Sequence, residues 1–210
     1  MAEFISLYSG SSGNSSVVRC GAQYLIVDMG KGVRTTTAAL KSLGLAVSDC
    51  AGILVTHEHS DHNQVSRVHL KPDGKVLRAA NLIDGASYGG CLVKDVLVKA
   101  TAAYNKNHPK SECVGFLIST GGKKLYFACD TSETEEMRKL RAEQIDYAFL
   151  PIDGIYNMNA IEAARCAEII GPKCNVPVHM KPGALFSQEM AESFHAENRL
   201  ILRPGQTITW

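Results

Sequence analysis

Gly52-Ile53-Leu54-Val55-Thr56-His57-Glu58-His59-Ser60-Asp61-His62 is the stretch that decides how this chain is read. It opens as a continuous apolar run, as expected of a strand buried on both faces. It then passes into three histidines and an aspartate within six residues. The chain holds only seven histidines in 210 residues, so chance does not explain this density. On a loop leaving a strand, His57 and His59 project to one side. Asp61 and His62 open the next element and face back toward them. Imidazole nitrogen with carboxylate oxygen is the ligand set of Zn²⁺, Fe²⁺ or Mn²⁺ in catalytic sites, whereas structural zinc sites are closed and cysteine-rich.

Working outward, three more candidate ligands stand at the C-terminal ends of predicted strands, where α/β sheets place their sites. His108 follows the strand predicted for 93–102, Asp130 ends Leu125-Tyr126-Phe127-Ala128-Cys129, and His179 ends Asn175-Val176-Pro177-Val178. Two metals sharing a carboxylate and a water would use all of these residues.

The rest of the chain reads as a strand meander followed by alternating strands and helices. Strands are expected at 4–8, 16–20, 24–29, 114–119, 146–150, 176–180 and 208–210, with a hairpin turn at Gly121-Gly122. Helices are expected at 33–43, ended by Gly44, at 131–141, at 159–170, ended by Gly171-Pro172, and at 188–196. The segment 65–90 reads as loops with room for one strand. This order points to an α/β or α+β sandwich.

Composition narrows the function. The chain is 45% hydrophobic and 20% charged, with 22 Lys+Arg against 21 Asp+Glu, which excludes disorder and gives no basic surplus for a large nucleic-acid footprint. Seven cysteines occur singly with no CxxC pair, as expected of reduced thiols in a cytoplasmic protein. Neither a cleavable leader nor a membrane span is expected, since Met1-Ala2-Glu3-Phe4-Ile5 lacks a basic start and no apolar run approaches about 18 residues.

Together these residues resemble the metallo-β-lactamase fold hydrolases, over nearly the whole chain. The HxHxDH motif of that family matches His57 to His62, and its earlier acidic motif matches Asp28 in Val27-Asp28-Met29-Gly30. Its third histidine matches His108, its bridging aspartate Asp130, and its last histidine His179. Tyr8-Ser9-Gly10-Ser11-Ser12-Gly13-Asn14-Ser15 is similar to the start of bacterial members with exonuclease activity, and His108 stands before Val114-Gly115-Phe116 as in them. The stretch from Ala103-Tyr104-Asn105 to Pro177-Val178-His179 is more similar to lactonase-type and uncharacterised metal-dependent hydrolases.

The resemblance implies an α/β fold, a four-layer αβ/βα sandwich, with one catalytic domain over residues 1–210. It implies two divalent metal ions in the cleft between the sheets, Zn²⁺ first, with Mn²⁺ or Fe²⁺ as alternatives. His57, His59 and His108 would hold one ion, Asp61, His62 and His179 the other, and Asp130 would bridge. Asp28 would bond the metal loop. Only 45 residues lie between His62 and His108, short for the family in a segment that often carries substrate elements. Nothing resembles the nucleic-acid clamp of the RNA-processing members or the helical C-terminal domain of the glyoxalase-type thioesterases.

The expected reaction is hydrolysis by a metal-bridged hydroxide, oriented by Asp61 and Asp130, of a phosphodiester, lactone or other ester. A small anionic molecule is the expected substrate. One alternative is a nuclease on DNA or RNA ends, with Lys71, Lys75, Arg78, Lys94, Lys99, Lys106 and Lys110 as a local patch. A second is a mono-iron redox enzyme, although His59 stands where the flavin-linked di-iron proteins of this fold carry a glutamate. His69 and His195 read as surface or packing residues, Cys129 as core, and Glu58 as solvent-facing. Thr131, Tyr156, Asn157, Asn14 and Ser12 read equally as cleft-lining or turn residues. No oligomeric state is legible.

Overall fold

In a computed structural model of the chain, the residues described are 1–59, 62, 63, 65, 68, 70 and 72–210. Asp61, His69 and Lys71, which carry expectations above, lie outside them.

Two six-stranded sheets pack face to face. The first runs in the order β14-β1-β2-β3-β4-β5, from Thr207–Thr209, Ala2–Gly10, Gly13–Cys20, Gln23–Val27, Cys50–Leu54 and Lys75–Leu77. The second runs β13-β12-β11-β10-β9-β8, from Cys174–Val178, Tyr147–Pro151, Lys123–Phe127, Val114–Thr120, Val96–Ala102 and Gly90–Val93. In each sheet antiparallel hairpins give way to parallel pairs: β3 with β4 and β4 with β5, β11 with β12 and β12 with β13. A small ribbon, β6 (Ile83–Asp84) with β7 (Ser87–Tyr88), stands apart.

Three hydrophobic clusters make the four layers. The central one joins the sheets, and its middle is aromatic: Phe4 lies 4.3 Å from Phe149, which stacks on Phe127 at 4.5 Å. The second buries Tyr126, Ala148 and Leu150 against helix α4 (Ala160–Ile170) through Ala163, Cys166, Ala167 and Ile170. The third packs Tyr24, Ile26 and Ile53 against Leu40 of helix α1 (Gly32–Ser42). Each inner strand is thus covered on both faces, which explains fully buried runs such as Cys50–Leu54. Among the described residues no helix is long and apolar enough to cross a membrane.

Most predicted elements are present, and the differences have local causes. The helix expected over 131–141 is a single turn, α3 (Met137–Leu140), followed by a 3₁₀ turn at Arg141–Glu143. The groups that would start the helix are used elsewhere. The Tyr104 amide donates to Thr131 Oγ1 at 3.1 Å, the Ser132 amide to Tyr104 O, and the Glu133 amide to Glu162 Oε1. The strand expected over 93–102 is a hairpin, β8 and β9, turning at Lys94-Asp95 with Lys94 left-handed at φ 56°. The segment 65–90 supplies β5, a one-turn helix α2 (Ala79–Leu82) and the small ribbon. The last helix, α5 (Gln188–Ser193), stops short of the expected 196.

Candidate metal centre

The parallel ends of the strands converge on one edge of the sandwich. Asp28 follows β3, Thr56 and His57 follow β4, His108 lies beyond β9, Asp130 follows β11, Asp153 follows β12 and His179 follows β13. At three of these ends the chain turns through the left-handed region without glycine: Asp28 at φ 58°, Cys129 at 61° and His179 at 49°. Such conformations cost about 1–3 kcal/mol each and cluster at functional sites.

Four imidazoles face the Asp130 carboxylate. His108 Nε2 and His179 Nε2 each lie 3.3 Å from Asp130 Oδ2, His57 Nε2 lies 3.9 Å from it, and His62 Nε2 lies 3.5 Å from Oδ1. All five residues are buried. The exposed His59 completes a group with His57 and His108, and His57, His62 and Asp130 form a second; in each group one ligand atom per residue lies within 4.8 Å of the others.

The outer ring nitrogens explain why the inner ones point inward. His62 Nδ1 meets Asp28 Oδ2 at 2.6 Å, and His179 Nδ1 meets Asp153 Oδ2 at 3.0 Å. A carboxylate only accepts, so both Nδ1 atoms carry the proton. Thr56 donates its hydroxyl to Asp28 Oδ2 at 2.9 Å and so accepts from His57 Nδ1 at 3.0 Å. His108 Nδ1 donates to Asn105 Oδ1 at 3.0 Å. The inward Nε2 atoms of His57 and His108 therefore present lone pairs, while that of His62 lies 3.2 Å from the Asn14 side-chain nitrogen. Burial, then the neighbouring His62, holds His57 down to about 2, and burial likewise lowers His108. Burial alone would raise Asp130, but the facing imidazoles of His179 and His62 outweigh it and hold the carboxyl well below its ordinary range.

The lone pairs of the two lowered imidazoles, His57 and His108, thus face an ionised carboxylate. Within the described residues, His57 Nε2 and Asp130 Oδ1 are buried without a hydrogen-bond partner. Such an arrangement is stabilised by cations seated among the groups, and its nitrogen and oxygen donors suit Zn²⁺, Mn²⁺ or Fe²⁺. A crevice of about 50 Å³ adjoins the cluster, lined by Asn14, Cys129 and His179 among others. It has room for water. His59 is the exposed member of the cluster.

The remaining candidates separate clearly. Cys129, read as core, packs partly buried against the central cluster and also lines the crevice beside Asp130. Its strand ends at Phe127 and its own left-handed backbone breaks the alternation. Burial keeps its thiol well above the ordinary range. Glu58 is exposed and pairs with Arg78 at 2.7 Å, and it accepts from Asn63. His195 is exposed. Thr131 and Asn157 are buried in the loop network, and Tyr156 is half-exposed. Sequence reasoning missed Asp153, Thr56 and the role of Asn105. The signal for Asp153 was present in Pro151-Ile152-Asp153-Gly154, a carboxylate just after a buried strand.

The β-lactamase superfamily domain model matches residues 20–179. A UPF0173 metal-dependent hydrolase of Symbiobacterium thermophilum is 31% identical over 181 residues, covering 75% of this chain and 80% of its own. A second, from Saccharolobus solfataricus, is 28% identical over 180 residues, covering 75% and 79%. The crystal structure of the metallo-β-lactamase fold protein YhfI from Bacillus subtilis superposes over the full length of both chains with a TM-score of 0.74 at 12% identity. The chain belongs to the β-lactamase superfamily, and its fold is the metallo-β-lactamase fold.

Proposed function

We propose that this metal-dependent hydrolase of the superfamily cleaves an ester-type bond, a phosphodiester or a lactone, in a small anionic substrate. The observation that carries the reading is the convergence of four imidazole Nε2 atoms on Asp130. His57, His59 and His108 would hold one divalent ion, and Asp61, His62 and His179 the other, with Asp130 between; Zn²⁺ is the first choice. Bound metal supplies Lewis acidity, acidifying water at the site and drawing negative charge from the centre under attack.

The protein's own part is positional. The ionised Asp130 accepts a hydrogen bond from the attacking water and aims it, with Asp61 in the same role. Water adds to phosphorus or to the acyl carbon, the bond to the leaving oxygen breaks, and a carboxylate at the site returns a proton to that oxygen. Asp28, Thr56 and Asn105 keep the imidazoles in the tautomer that presents Nε2.

A small substrate is supported over nucleic acid by the fate of the basic residues. Arg78 pairs with Glu58, Lys94 with Asp73, Lys99 with Glu143 and Lys110 with Glu136, so most of the candidate patch is already neutralised. The test is hydrolysis of bis(4-nitrophenyl) phosphate and a series of small lactones by zinc- and manganese-loaded protein. Turnover of either class that vanishes in Asp130→Asn supports the reading. Turnover only of nucleic-acid ends, steeply salt-dependent, would replace it with the nuclease, and activity only with a single iron would replace it with the redox enzyme.

A further inference from the structure

We infer that Asp153 is the positioning residue that makes His179 a metal ligand, an inference that rests on the metal reading above. Asp153 stands two residues beyond β12, and its side chain is fully buried. One carboxylate oxygen, Oδ2, lies 3.0 Å from His179 Nδ1. The other, Oδ1, accepts the amides of Ile155, Tyr156 and Asn157 at 3.1, 3.2 and 2.9 Å. Oδ1 thus holds the loop backbone, while Oδ2 holds the ring and also accepts the Asn157 side-chain amide at 3.4 Å.

The ring job is chemical. His179 needs its Nε2 lone pair, 3.3 Å from Asp130 Oδ2, to bind a cation. An imidazole leaves that atom unprotonated only when Nδ1 holds the hydrogen. Asp153 Oδ2, nearer to Nδ1 than the Asn157 side-chain nitrogen at 3.4 Å, is the acceptor that keeps it there. Because His179 takes a left-handed backbone, strand alternation does not set its ring direction, and the carboxylate supplies the constraint.

The loop job carries the constraint to a second ligand. Tyr156 O, inside the loop that Asp153 holds, accepts the side-chain amides of Asn105 and Asn107, both at 3.0 Å. Asn105 Oδ1 in turn receives Nδ1–H of His108. A single buried carboxylate thus ties the mount of the histidine after β13 to that of the histidine after β9.

Asp153→Asn separates the two jobs. Its carbonyl oxygen still accepts the three loop amides, while its NH₂ faces His179 Nδ1 and donates to it. The imidazole proton is then driven to Nε2, the ligand atom. The experiment compares full-length wild type and Asp153→Asn in zinc affinity, by competition with a chromophoric chelator. It adds the protonation of the histidine rings in metal-free protein, by nitrogen-15 NMR, and metal-free thermal unfolding. We expect the zinc affinity of the site containing His179 to fall about 10- to 100-fold. We also expect the His179 proton to move from Nδ1 to Nε2, with the metal-free Tm within about 3 °C of wild type. Unchanged zinc affinity, or a wild-type His179 already protonated at Nε2, would overturn the inference. A large loss of metal-free Tm with the tautomer unmoved would reduce Asp153 to a loop anchor and overturn it too. If the wild type takes up no zinc, the metal reading falls, while the tautomer measurement still decides what Asp153 does.

Discussion

Asp28 Oδ2 lies 2.6 Å from Nδ1 of His62, while its other oxygen accepts the Thr56 amide at 2.9 Å. One carboxylate at the end of β3 thereby fixes both the loop that leaves β4 and the ring of a candidate ligand. Asp28→Asn keeps an acceptor for the Thr56 amide but turns an amide donor toward His62. Zinc affinity is expected to fall about 10- to 100-fold, with hydrolysis falling in parallel. Equilibrium dialysis against a zinc buffer checks it; unaltered affinity would mean that the contact only supports the fold.

His59 and His57 belong to one candidate ligand group but differ in burial, which separates binding from stability. His59→Ala removes an exposed side chain, so metal-free stability is expected to shift by no more than about 0.5 kcal/mol. Metal content is expected to drop sharply all the same. Thermal unfolding and elemental analysis of the same sample read both quantities.

Gly10 gives the glycine-rich opening a packing role. A Cβ there would collide with the carbonyl oxygen of Ala184, in the loop that follows His179 and Met180. Gly10 also bridges Met180, and Ser11 N donates to Met180 O at 3.0 Å. Gly10→Ala is expected to cost about 1–3 kcal/mol, because the 181–185 loop must move away from β1. The accompanying sign is weaker metal retention, since His179 begins that loop. Urea unfolding with a metal assay would show it, and wild-type values in both would refute the packing role.

These three positions show how far the sequence could be read. Asp28, the histidine run and His108, Asp130 and His179 were legible because ligand chemistry restricts residue type and because sites gather at the ends of parallel strands. Helices α1 and α4 were legible from periodicity and their closing glycines, Gly44 and Gly171. The helix expected at 131 was not, because the competing partners, Tyr104 and Glu162, are distant in sequence. Asp153 escaped for a related reason. A lone aspartate before glycine reads as a turn, and only the fold brings it to His179. The Lys94-Asp95 turn lacks glycine altogether and so gave no signal.

Asp146 carries a pH-dependent part of the stability. Burial pushes its carboxyl up, but hydrogen bonds from Lys173, the Lys124 amide and Lys123 more than offset this, and it sits below its ordinary range. A depressed folded-state value stabilises above the unfolded value of about 3.9 and is lost as pH falls through the folded one. Asp146→Asn is therefore expected to cost about 1–2 kcal/mol at neutral pH, since both lysines are partly exposed and screened. The difference from wild type is expected to shrink on acidification below about pH 4. Denaturant melts at pH 7 and pH 3.5 check the sign; a gap that widens in acid would contradict it.

The central claim is that the imidazoles gathered on Asp130 hold divalent metal and that hydrolysis depends on it. Elemental analysis of purified wild type and Asp130→Asn, with ester hydrolysis measured on the same samples, tests this most directly. The expected result is about two divalent ions per wild-type chain, as in two-metal hydrolytic sites, with metal and activity lost together in the variant. A wild type that takes up no metal after reconstitution with zinc, manganese and iron would contradict it.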